Sequence, residues 1–185
     1  MRLALATVVA LTGCGAADQS LMPMEVGARS RYEVQAPFNE FISEVRILRK
    51  SAVGGNDGYV LSGPTGESHL AWDGQTLIAE RMSNTRFVPP IPLAVDSKDP
   101  IRRTWRGRVE GYWGKYDAEA TLDQAWIKEF EGKQIRGVKA VLTIKNPSKK
   151  ALKLTTVFQP GVGIAFQRQA TGGDSIVKID RLSGS

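Results

Sequence analysis

The side chains able to do chemistry are few and scattered. His69 is the sole histidine and Cys14 the sole cysteine among 185 residues. A metal site needs several ligands at suitable spacing. A hydroxyl–imidazole–carboxylate triad needs its histidine beside a nucleophile. Ser68 adjoins His69, but in a strand successive side chains point to opposite faces. Glu129 and Glu131 are spaced as a carboxylate pair of a hydrolase could be, yet Lys128 and Lys133 give them the setting of an ordinary solvated turn. Gly161-Val162-Gly163 lacks the third glycine and the following helix of a dinucleotide loop, and reads as a tight turn. The expectation is a non-enzymatic protein with no cofactor and no metal. An acid- or lysine-based mechanism built from distant residues is the weakest of the readings.

Two groups suit binding better than catalysis. Arg102, Arg106 and Arg108 project together from a strand, away from Trp105. They form either a solvated sheet face or an anion-binding patch, the former being the commoner arrangement. Trp72, Trp105, Trp113, Trp126, Phe158 and Phe166 are core on base rates, and in a curved sheet could line a concave face for an acyl chain or another apolar ligand. The balance of 25 basic and 19 acidic residues, +6 overall, mildly favours anionic partners such as lipid headgroups or envelope polymers.

The N-terminus carries the strongest signal. Arg2 precedes an apolar or small run from Leu3 to Leu11. That run is far short of the ~20 residues that span a bilayer, and it fits the core of a secretory signal. Leu11-Thr12-Gly13-Cys14 follows, and resembles the lipobox of bacterial lipoproteins. The resemblance implies cleavage after residue 13, a diacylglycerol on the Cys14 thiol, and two or three acyl chains such as palmitate, enough for a lasting membrane anchor. It also implies export, and Gly15 in place of an aspartate favours the outer membrane of a two-membrane cell. With the thiol consumed, the domain is expected to have no disulfide or thiolate chemistry, and export argues against nucleic acid as a partner. Residues 14–20 are small and polar and read as a flexible tether.

The remainder, 21–185, reads as one β-rich domain. Gly-, Asn-, Asp- and Pro-rich turns separate short runs rich in Val, Ile, Thr and aromatics. Asp73-Gly74 is a hairpin signal. Val138, Ala140, Leu142 and Ile144 face one way and Lys139, Val141, Thr143 and Lys145 the other; Leu152, Leu154, Thr156 and Phe158 repeat the pattern opposite Lys153, Thr155 and Val157, and Val162, Ile164 and Phe166 alternate with small and polar residues. Phe38 to Leu48 has mixed spacing and favours a strand; residues 122–131 fit a short helix or a strand. Pro89-Pro90-Ile91-Pro92 is unsuited to a central strand, so residues 88–100 are expected to form a long connection between two halves of one sheet.

Leu21-Met22-Pro23-Met24-Glu25-Val26-Gly27, leading to Tyr32, pairs with the distant Phe158-Gln159-Pro160-Gly161-Val162-Gly163. Together these are similar to a broad group of uncharacterised exported bacterial proteins and lipoproteins. The resemblance implies a mainly β fold: a single curved antiparallel sheet, half-barrel or clam-like, of the lipoprotein-carrier type, with at most one or two short helices. The function expected is a non-catalytic, membrane-anchored envelope module that binds a lipid, another apolar ligand or an envelope component. The alternative is an assembly lipoprotein that docks another envelope protein. A continuous cavity would favour the first, a filled interior the second.

Overall fold

A computed structural model describes residues 20–111, 114–146, 149–172 and 174–182. Every regular element among them is a strand. The first six are β1 (Arg29–Ala36), β2 (Asn39–Val53), β3 (Asn56–Gly63), β4 (Gly66–Asp73), β5 (Thr76–Met82) and β6 (Thr85–Val95). The second six are β7 (Ile101–Gly111), β8 (Gly114–Ile127), β9 (Gly137–Asn146), β10 (Lys149–Gln159), β11 (Gly163–Thr171) and β12 (Asp174–Arg181). Each pairs antiparallel with its neighbour in sequence, and β1 pairs with β12, so the sheet closes into an up-and-down barrel.

The closure corrects the expected half-barrel. Tyr32 to Gln35 of β1 lie opposite Arg181 to Lys178 of β12, and the Leu182 N–H donates to the Arg31 carbonyl. An open sheet would leave those two edges with unpaired backbone groups, a cost that closure removes. Residues 122–131, ambiguous in sequence, divide: Leu122 to Ile127 end β8, and the rest is a turn.

Alternation places one face inside. Leu70, Phe87, Val109, Leu122, Val138, Leu142, Ile144 and Phe158 belong to one contiguous buried cluster spanning both halves of the barrel. The segment before β1 joins it: Leu21 and Met22 are buried in that cluster, and the Gly161 N–H donates to the Ser20 carbonyl. The chain therefore enters at the end of the barrel where β1 starts and β6 finishes, called the upper end below. A smaller outer cluster, Val53, Ala71 and Ile78, forms where the β2–β3 turn folds back. A side chain at Gly54 would strike Pro90 at 2.7 Å.

The proline run is the second correction. Residues 89–92 lie within β6, where Ile91 and Pro92 pair with Ala79 and Ile78 of β5 across two bulges. On its other side β6 pairs with β7 only at Arg86, Phe87 and Val88. Beyond Val88 it behaves as an edge, and an edge, like a bulge, tolerates proline. The connection shrinks to residues 96–100.

Candidate functional site

The parting of β6 from β7 is the irregular feature of the barrel wall, and side chains cross it where the ladder stops. Trp105 of β7 turns inward, meets Phe87 edge-to-face with centroids 6.1 Å apart, and donates its indole N–H to the Pro89 carbonyl at 3.2 Å. Its ring lies over Gly107, where an added Cβ would sit 2.5 Å from it; only glycine permits that packing. Gln124 of β8, 4% exposed, imitates a strand residue. Its Oε1 accepts from the Val95 N–H at 2.7 Å and its Nε2 donates to the Val95 carbonyl at 2.8 Å. Arg103 donates to Thr76 Oγ1 on β5 at 2.7 Å.

Most of the predicted lining residues meet inside the barrel. Trp105 and Phe158 are buried in the main cluster, and Trp72 and Trp126 pack against it. Trp72 donates to the Met22 carbonyl at 3.4 Å, and Lys98 Nζ lies 5.6 Å from the Trp126 ring centroid. Phe166 does not join them. A bulge on β11 sets Phe158 opposite Ile164 but Val157 opposite Phe166, and this turns Phe166 to the outer face. There it is covered by Phe130 of the β8–β9 connection, centroids 4.8 Å apart. Ion pairs from Glu131 to Arg168 and Lys178, and from Lys133 to Asp180, hold that connection across β11 and β12. Trp113 and Cys14, with the signal sequence 1–13, lie outside the described residues.

Arg102, Arg106 and Arg108 do share the outer face of β7, each beside a carboxylate. Arg102 faces Asp123 at 3.6 Å, Arg106 faces Glu119 at 2.9 Å, and Arg108 faces Glu110 at 3.2 Å. The first two join β7 to β8, a favourable cross-strand arrangement; the third lies within β7. An open cleft of about 820 Å³ lies here, lined by Val88, Arg106, Gly107, Arg108, Asp117, Ala118, Glu119 and Lys145. His69 Nε2 is buried without a hydrogen-bond partner, 3.7 Å from Glu67. Among the described residues no three of His, Cys, Asp and Glu gather as metal ligands would.

The β1–β2 hairpin carries features that sequence reasoning missed. Phe38 at its tip is 101% exposed, and Phe41 and Ile42 are 40% and 58% exposed. Beside them a hydrogen bond between the Glu33 and Glu40 carboxyls lowers the pKa of Glu33 and raises that of Glu40, and the charge of Glu33 raises Glu40 further. Arg46 bonds Glu44 and lowers its pKa. The sequence signal was there: adjacent Phe41 and Ile42 put apolar groups on both faces of one strand. Gln124 gave none, because its task exists only where β6 leaves the ladder.

No family model and no curated protein matches the chain. Three solved structures are similar to it. A protein of Parabacteroides distasonis described as a lipoprotein shares 10% identity over 89% of this chain and 98% of its own, with a TM-score of 0.53. A protein of Bacteroides fragilis, described as exported and of YmcC-like fold, shares 10% over 88% and 97%, TM-score 0.47. YmcC of Escherichia coli, described as a hypothetical lipoprotein, shares 11% over 84% of each chain, TM-score 0.42. At such identities it is the fold that is shared, and the first of the three carries that conclusion: this chain has the all-β architecture of the Parabacteroides protein over nearly its whole length.

Proposed function

We propose that the protein is an exported, lipid-anchored module of the bacterial cell envelope that docks a protein partner and performs no catalysis. The lipobox at Leu11 to Cys14 and the fold shared with a protein described as a lipoprotein support the anchor. The observation that favours docking over ligand carriage is the packing of the inward side chains. Leu21, Met22, Phe87, Trp105 and Phe158 belong to one cluster inside the barrel, each at most 7% exposed. The paired arginines of β7 leave anion capture without a surplus of charge.

Native mass spectrometry of residues 19–185, purified from a bacterial envelope fraction without detergent, tests this. A bare mass is expected. A reproducible added lipid mass would overturn docking in favour of an apolar-ligand binder, with the parted β6 and β7 as its point of access. The anchor is tested separately: Cys14→Ser should abolish incorporation of labelled palmitate and release the protein from membranes.

A further inference from the structure

The β1–β2 hairpin extends past the barrel wall at the lower end. Asn39 to Val45 of β2 pair with β1 along their whole length. On the other side, the ladder to β3 begins only at Arg46. That stretch of β2 is an edge. A two-residue turn joins Ala36 to Asn39, which makes the closing pair a hydrogen-bonded one. Alternation from there sends the backbone groups of Glu40, Ile42 and Glu44 away from β1, into solvent. Exposed edges are usually blunted by short length, proline or charged side chains. This one has no proline or lysine; its charges are Glu40 and Glu44, both acidic, and it lies beside exposed Phe38, Phe41 and Ile42.

We propose that this edge receives an extended segment of a different envelope protein as an added strand, bearing an apolar residue beside Ile42 and, two positions away on the same face, a lysine or arginine beside Glu40 and Glu33. The inference rests on the docking reading above and names its surface and the chemistry of the partner. Charge selects the occupant. The register sets Glu33 opposite Ile42 and Glu40 opposite Gln35, so Glu33 and Glu40 are diagonal neighbours on one face, and two carboxylates side by side favour a basic side chain between them. A second copy fits badly. The free stretch is centred on Ile42, so a two-fold antiparallel pairing would set Glu40 opposite the Glu44 of the other copy twice, and directly opposed like charges destabilise a sheet. Strand addition obtains affinity from main-chain bonds and selectivity from alternate side chains, and this edge offers both.

The test uses the full lipidated chain in its own cells, with p-benzoylphenylalanine in place of Phe38 and, separately, in place of Thr104 on the outer face of β7. Photolysis at position 38 should yield an adduct with another envelope protein, the linked peptide showing an apolar–x–basic pattern. Glu40→Lys should cut that yield about tenfold, the loss expected from reversing one close charge pair. Ile42→Pro should do the same, because it removes an outward N–H while leaving every bond to β1. Adducts with a second copy or with lipid overturn the proposal, as does a yield indifferent to both substitutions. An adduct at 104 with none at 38 sinks the edge but keeps the docking reading; no adduct at either site sinks both.

Discussion

The two sides of β7 are held in different ways. Toward β8 it makes an unbroken ladder from Ile101–Gln124 to Gly111–Gly114. Toward β6 it makes three pairs, and above them Trp105, Gln124 and Arg103 bridge the gap. A backbone ladder tolerates almost any side chain on its outer face. A side-chain bridge depends on particular residues: losing Gln124 or Trp105 leaves the Val95 or Pro89 backbone groups without these partners. The barrel's weak points to mutation therefore lie not in its longest strands but where the β6–β7 ladder stops at the prolines.

Substitutions across the gap test this directly. Trp105→Ala should cost about 3–5 kcal/mol in urea unfolding, for the lost ring and the cavity left behind. Thr104→Ala, one residue away on the laddered outer face, should stay within about 0.5 kcal/mol. Equal costs would erase the distinction. Gln124→Met keeps the volume but strips both bonds to Val95, and should cost about 1–3 kcal/mol, with the Val95 amide exchanging faster with solvent. Tyr32→Phe removes the 2.9 Å bond from its hydroxyl to the Ile164 carbonyl near the other closure, at about 1 kcal/mol. Arg106→Gln, breaking a pair exposed at 82% and 62%, should cost less than about 1 kcal/mol, and less still in high salt. On the β1–β2 hairpin, Glu33→Gln should bring the Glu40 pKa down toward its ordinary value in a carboxyl NMR titration, since the Glu33 bond and charge hold it up.

The alternation of β9 and of most of β10 could be read from sequence because a strand with one buried face states its period in every residue. Two things could not. Whether the ends meet depends on the twist accumulated over twelve strands, which no local pattern records, so the curved sheet was legible and its closure was not. Counting twos from Ile164 puts Phe166 on the same face, and one extra residue in β11 inverts the count. Pro89 to Pro92 suggest a connection because proline is unfit for a central strand; they lie in a strand instead, since β6 is paired to β5 there and has left β7. Of the sites, the aromatic interior followed from composition. The edge of β2 did not, because it exists only through the difference in reach between β2 and β3.

All ladders but one join strands adjacent in the chain, so each can form as a hairpin soon after its residues are available. The exception is β1 with β12, which must wait for the last strand and carries the greatest loop-closure entropy. Until then the nascent ring is a sheet with two sticky borders, β1 and β11. A chain truncated before Asp174 would keep most of its core and yet lose the means to hide those borders. Its expected fate is self-association of an otherwise folded sheet, rather than simple unfolding.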